Sequence, residues 1–331
     1  MKMYKSLRFL VLASAFGIPA QAGMAQSAAP ELSHIPQPHL AKARVEAFKE
    51  NNWKFTDLIT CYPTLDGLAA QHVLKDPGAG KAADNFYFLG NGTVSAWAVD
   101  TSDGIILIDT MNNRAEVDQF IIGGMQKVGL DPARIKIILI SHGHRDHIGG
   151  AKYLQEKYHP KIYVTALDYD LAEKGAAAPN ATFVAPRRDQ VVTDGQLVTL
   201  GDTSIKLYIT GGHTPASLSM IIPVRDKGKV RNLLYLGGIT SLHLSLENHA
   251  IYDKWTDRLL AAAKADRPEG VIGNHGSYDD VSYKIDKFRA KPDAPNPFFN
   301  GTENAIRFVR VLKECNLNNW DIEKALGHPQ W

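Results

Sequence analysis

The run Ile135-Lys-Ile-Ile-Leu-Ile140 empties into Ser141-His142-Gly143-His144-Arg145-Asp146-His147-Ile148-Gly149-Gly150, and this junction decides how the chain is read. The first run is short, β-branched and nearly uncharged, as expected of a strand buried on both faces. A buried strand that ends in His, Asp and then Gly-Gly is a loop at the edge of a sheet, where α/β folds carry their chemistry. Three imidazoles and a carboxylate within six positions are costly to hold together without a cation. Neutral imidazole and carboxylate are usual ligands of zinc. His142 and His144 alternate and can point to one side of an extended segment. Asp146 and His147 turn the other way, towards a second metal. Arg145, between the ligands, is expected to face solvent or a carboxylate.

Two further histidines follow strands among small residues. His213 lies in Thr210-Gly-Gly-His-Thr-Pro215, and His275 in Gly273-Asn-His-Gly-Ser277. Glycines beside a histidine let the backbone approach a shared centre closely. The strands expected around these motifs are Phe86 to Leu89, Ser95 to Val99, Ile105 to Ile108, Lys161 to Thr165, Leu197 to Leu200, Ser204 to Ile209, Leu218 to Ile222, Asn232 to Leu236 and Gly270 to Gly273. Helices are expected over Ala41 to Asn52, Arg114 to Val128, His147 to Tyr158, Ala166 to Lys174, Tyr252 to Ala265, Val281 to Arg289, Thr302 to Lys313 and Trp320 to Leu326. Asp66 to Ala83, rich in Gly and Ala, is expected to wind over the surface, and Lys291 to Phe299 reads as a Pro-rich connector.

At 331 residues, 44% hydrophobic and 22% charged, the chain has ample material for a core. A net charge of +2 gives no electrostatic case for nucleic acid or an anionic membrane. Lys2, Lys5 and Arg8, the apolar Phe9 to Phe16 and the small-x-small site Ala20-Gln21-Ala22 read as a cleavable export signal over roughly residues 1–25. A periplasmic or secreted protein is therefore expected, with no membrane association after cleavage. The two cysteines, Cys61 and Cys315, are free to pair in an oxidising compartment or to stay as buried thiols.

Together, Asp109 in Leu-Ile-Asp-Thr, His142-x-His144-x-Asp146-His147, Gly212-His213-Thr214-Pro215 and Asn274-His275-Gly276 resemble the metallo-β-lactamase superfamily from about Asn85 to Asp279. The resemblance implies an α/β fold, an αββα four-layer sandwich, over residues 85–290. An N-terminal arm at 26–84 would precede it and a helical extension at 291–331 would pack on it. It implies two zinc ions, one held by His142, His144 and His213, the other by Asp146, His147 and His275, with Asp109 steadying the loop. Asp146 and His275 are the residues assigned to catalysis.

Relatives that hydrolyse hydroxyacylglutathione or lactones carry an Asp bridging the metals after the strand that corresponds to Leu233 to Leu236. Gly237-Gly238 stands there instead, and no metal-ligand Cys occurs. That combination resembles the β-lactamases of subclass B3, although their substrate-holding serine loop is not matched. Thr240 and Ser241 offer the nearest hydroxyls. The expected activity is opening of a cyclic amide, a small-molecule substrate, by a zinc-activated hydroxide. A lactonase or another ester hydrolase is the alternative. His243, His249 and Tyr278 are weaker candidates near the cleft. The two histidines are expected at the surface; Tyr278 lines the pocket or packs in the core.

Overall fold

A computed structural model describes residues 35–48, 61, 75–241 and 244–327. The export signal, most of the N-terminal arm and His243 lie outside them. Seven strands form the first sheet in sequence order: β1 (Gly80–Ala83), β2 (Phe86–Phe88), β3 (Trp97–Thr101), β4 (Gly104–Ile108), β5 (Ile135–Leu139), β6 (Lys161–Val164) and β7 (Gln190–Val191). The second sheet has the order β12 (Gly270–Gly273), β11 (Lys229–Leu236), β10 (Leu218–Asp226), β9 (Thr203–Ile209), β8 (Leu197–Leu200). β4, β5, β6 and β7 run parallel, as do β11 and β12; the remaining pairs are antiparallel.

Strand alternation explains the layering. On β4, Ile106 and Ile108 face the second sheet, whereas Ile105 and Leu107 face helices on the outside. β11 does the same: Leu233 and Tyr235 enter the inter-sheet core, Leu234 and Leu236 the outer layer. Side chains at period two that are apolar on both faces need cover on both sides, which a sheet pair flanked by helices supplies. Each such Ile or Leu, removed from water, contributes about 1.5–3 kcal/mol.

Outside the first sheet lie α2 (the successive pieces Arg114–Glu116, Val117–Ile122 and Gly123–Lys127), α3 (Arg145–Ile148), α4 (Ala151–Tyr158) and α5 (Ala166–Ala176). Outside the second lie α6 (Leu246–Asp266) and α9 (Thr302–Leu326), with α7 (Gly276–Asp279) following β12. α8 (Val281–Ala290) lies against β1, and α1 (Pro38–Phe48) against α9. The arrangement is the expected αββα sandwich.

Three expectations change. β1 is a strand with Ala82 and Ala83 fully buried, so the sheet starts inside the stretch read as surface chain. Its small side chains carried no β-branched signal. The two C-terminal helices are one of 25 residues: Cys315, Asn316, Asn318 and Asn319, poor helix formers in the gap between them, are buried by tertiary packing. α6 begins at Leu246 rather than Tyr252, capped by the Ser245 hydroxyl, which accepts from the Asn248 N–H. The cysteines are joined, tying residue 61 to α9.

Candidate metal centre

The loops at one end of both sheets converge. β5 ends at Leu139, and the Ser141 N–H and hydroxyl then donate to the two oxygens of Asp109, at 2.7 and 2.8 Å, just past β4. Asp109 itself sits at φ 60°, a left-handed conformation that turns its carboxylate under the His loop. Gly149 and Gly150 then bring the turn between α3 and α4 against the chain after β4. A Cβ on them would stand 2.0 Å from the Asn112 carbonyl and 2.2 Å from that of Thr110.

The opposite wall comes from the second sheet. Trp97, stacked on Phe86 at 4.9 Å, donates its indole N–H to the Gly273 carbonyl at 3.2 Å, fixing the end of β12. The Ser95 N–H donates to the Asn274 carbonyl and the Gly276 N–H to that of Thr93, which holds His275 in the cleft. Asn274 Nδ2 donates to the Gly237 carbonyl, coupling the ends of β11 and β12.

Six side chains meet there. Donor atoms of His142, His144 and His213 lie mutually within 4.8 Å, as do those of His142, Asp146 and His147. His275 Nε2 is 3.2 Å from His147 Nε2 and 3.5 Å from Asp146. His142 Nε2 faces His144 Nδ1 at 3.1 Å. The outward nitrogens are committed elsewhere. His147 Nδ1 meets Asp109 at 2.9 Å, His213 Nδ1 the Thr240 carbonyl at 3.0 Å, His275 Nδ1 the Thr93 carbonyl at 3.1 Å, and His142 Nδ1 the Ser141 hydroxyl. An imidazole that donates Nδ1–H outward presents the Nε2 lone pair inward. His147 and His275, so oriented, set two Nε2 lone pairs 3.2 Å apart, which repel unless a cation or proton sits between them. The donor set therefore fits divalent metal, three nitrogens on one side and two nitrogens with one carboxylate on the other.

The electrostatics agree. Burial pushes His213 down to about 3, with His144 adding to the shift, and burial with His147 pushes His275 to about 4. Burial also lowers His142 and His144. Burial opposes charge on His147 too, but the Asp146 and Asp109 carboxylates hold it up to about 10. Asp146, despite its burial, is driven below the usual carboxylate range by His147. Without metal, one proton on His147 thus stands in for the missing positive charge.

A pH prediction follows for metal-free protein. His147 binds its proton more tightly folded than unfolded, so its contribution is complete below about 6.5 and lost as pH rises towards 10. His213 and His275 act oppositely: stability falls as pH drops below about 6.5 towards 4 and 3. Urea midpoints of chelator-treated protein at pH 4.5, 6.5 and 9 are expected to peak at the middle value. A midpoint that climbs steadily with pH would contradict these assignments.

Asp109, proposed from sequence as the loop's support, lies beneath it, fully buried, and also accepts from the Tyr235 hydroxyl at 2.7 Å. The Thr240 hydroxyl is 2.6 Å from that of Tyr278, whose ring packs on His275 at 5.1 Å. Ser241 is 1% exposed, and its hydroxyl accepts from Asn319 of α9, so it faces the C-terminal helix rather than the cleft. His249, expected at the surface, is fully buried in α6 with Nδ1 2.8 Å from Asn316; the histidine packs where α6 meets α9.

Asp168 was not legible as a site residue. Its carboxylate accepts from the Gly143 N–H and the Thr165 hydroxyl, so one buried group ties the His142 loop to the start of α5. Thr165-x-x-Asp168 is a helix-capping pattern in sequence, with nothing to show the longer reach.

A family model described as the metallo-beta-lactamase superfamily matches residues 89–226. The probable metallo-hydrolase YqgX of Bacillus subtilis is 26% identical over 216 residues, 62% of this chain and 92% of its own. A hydroxyacylglutathione hydrolase of Francisella philomiragia is 31% identical over 121 residues, 36% of this chain and 42% of its own. Among solved structures, BJP-1, a subclass B3 metallo-beta-lactamase of Bradyrhizobium japonicum, is similar with TM-score 0.62 and 27% identity, covering 78% of this chain and 97% of its own. Native FEZ-1 from Legionella gormanii shares the fold with TM-score 0.65 at 22% identity, covering 76% and 98%.

Proposed function

We propose that the chain is a metal-dependent hydrolase of the metallo-β-lactamase superfamily and, within it, an exported, dinuclear zinc enzyme that opens a cyclic amide, a β-lactamase of subclass B3 type. One observation carries the choice within the superfamily. The six donors are present, but the place of a metal-bridging Asp is closed. A Cβ on Gly237 would stand 1.9 Å from the Leu218 carbonyl oxygen, and one on Gly238 2.8 Å from the His213 ring. Relatives named for hydroxyacylglutathione hydrolysis are matched over 40% to 76% of their length, so the choice against that activity rests on the closed position after β11 alone.

In this reading His142, His144 and His213 hold one zinc, and Asp146, His147 and His275 the other. Lewis acidity at the scissile carbonyl and a lowered pKa for the attacking water are what the zinc ions supply when bound. The protein's part is positioning. Asp109 and the Thr93 and Thr240 carbonyls fix the rings of His147, His275 and His213. Asp146 is the carboxylate facing the cleft, 30% exposed, placed to orient the attacking water by accepting a hydrogen bond from it. Tyr278 fills the space behind His275 and Thr240. Export fits a substrate met outside the cytoplasm; among the described residues no helix is long and apolar enough to cross a membrane.

Hydrolysis of another cyclic ester is the second reading, favoured by the turning of Ser241 away from the cleft. The test is a chromogenic cephalosporin with zinc-loaded protein. Turnover that chelator abolishes and zinc restores is expected. Inert cephalosporins and carbapenems beside hydrolysed lactones would overturn the β-lactamase reading in favour of the second.

A further inference from the structure

The two hydroxyls that sequence offered for a substrate anion are engaged elsewhere: Thr240 with Tyr278, Ser241 with Asn319. The cleft beside the metal centre nevertheless contains a cation. A cavity of about 700 Å³ opens over His144, Asp146 and His275, walled by Val94, Phe183 and the chain from Ala178 to Thr182. That volume is within the usual range for a small-molecule site. Arg145, the first residue of α3, lines it. Its guanidinium donates to the Thr182 hydroxyl at 2.9 Å and forms no ion pair among the described residues. Asn112 and Asn180 add neutral amides to the same wall. Asp146, the carboxylate of the cavity, lies 3.1 Å from His147 and 3.5 Å from His275 and does not pair with the arginine.

We propose that Arg145 is the anchor for a carboxylate on the substrate, so that the cleft selects small anionic molecules whose apolar body rests on Phe183 and Val94. A guanidinium has five N–H donors in a planar fork that matches a carboxylate in two parallel hydrogen bonds. The one bond to Thr182 steadies the side chain and leaves most of the fork for a ligand. Because Arg145 is flanked by His144 and Asp146, an anion held there places the neighbouring part of the molecule next to the metal ligands.

This inference rests on the hydrolase reading, and two measurements separate its failure from that of the reading. In the first, zinc-loaded wild type and Arg145→Gln hydrolyse a chromogenic cephalosporin and its methyl ester. The ratio of KM for the acid to KM for the ester is expected to rise about tenfold in the variant, as loss of a charge-assisted pair implies. Zinc content is expected to stay the same, and Arg145→Lys to recover part of the ratio. In the second, binding of phenylacetate and phenylacetamide to the same zinc-loaded proteins is followed by ligand-observed NMR. Phenylacetate is expected to bind about tenfold more weakly to Arg145→Gln, with the amide unaffected. Cephalosporin turnover with an unchanged KM ratio overturns the anchor and leaves the β-lactamase reading standing. Absence of turnover with phenylacetate weakened in the variant keeps the anchor and removes that reading. Phenylacetate bound equally by both proteins overturns the anchor whatever the turnover.

Discussion

Asp109→Ala is expected to cost about 3–5 kcal/mol of stability, the usual penalty for removing one partner of a buried charged pair. It is also expected to weaken metal binding by about ten- to a hundredfold. Four donors converge on this fully buried carboxylate: the Ser141 N–H and hydroxyl, His147 Nδ1 and the Tyr235 hydroxyl. Truncation leaves all of them without an acceptor in a site closed to water, and each orphaned buried group carries its own desolvation cost. The His147 ring then loses the contact that sets its tautomer, so Nε2 no longer presents a fixed lone pair to the cleft. Alanine at φ 60° adds backbone strain of about 1 kcal/mol. Asp109→Asn keeps the volume and one acceptor and should lose less on both counts. Urea midpoints and zinc competition with a chromogenic chelator measure the two effects. Unchanged values of both in Asp109→Ala would show that the loop holds itself.

The second large effect concerns the ligands. His213→Ala empties one corner of the first trio, and His147→Ala one corner of the second. Each should reduce hydrolysis by more than the ten- to hundredfold that loss of a supporting residue costs. The two variants differ in stability. His213 is buried at a cost, held neutral, with its pKa near 3. That cost arises only below about pH 6.5, where an unfolded histidine is charged, so at pH 7 metal-free His213→Ala loses a packed neutral ring and its bond to the Thr240 carbonyl and should lose less stability than His147→Ala. His147 is held charged between Asp146 and Asp109, 3.1 and 2.9 Å away. Its removal leaves both carboxylates facing each other without a cation, and metal-free His147→Ala should be clearly less stable. Equal stabilities would show that the charge distribution in the cleft is not as described.

How much of this was legible in the sequence follows from what each residue's role depends on. The strand-to-loop transition at Ile140 and the five histidines with Asp146 announce themselves, because ligand chemistry needs those residue types at strand ends. Layering came with the family resemblance, and the unbroken apolar runs Ile105 to Ile108 and Leu233 to Leu236 agree with it, since such runs need a sheet covered on both faces. Asp109, 32 residues before Ser141, was legible only because its Leu-Ile-Asp-Thr segment belongs to the family resemblance. Asp168 and Tyr235 reach the site across 25 and 126 residues of chain, and side chains used once, at long range, leave no spacing to detect. Ser241 shows the reverse error. A hydroxyl beside the cleft in sequence was read as facing it, but the residue turns towards Asn319, within the long helix that was itself read as two. β1 was missed because its strand is fixed by pairing with β2 rather than by its own Gly-Lys-Ala-Ala composition.

The central claim is that six side chains, drawn from three loops, form one centre for two cations. Zinc per chain, measured by elemental analysis after zinc loading and extensive dialysis, tests it most directly. About two ions are expected for wild type and about one for each of His213→Ala and His147→Ala, the latter pair with hydrolysis lost. Wild-type protein that retains no divalent ion, or variants that retain as many as wild type, would contradict it.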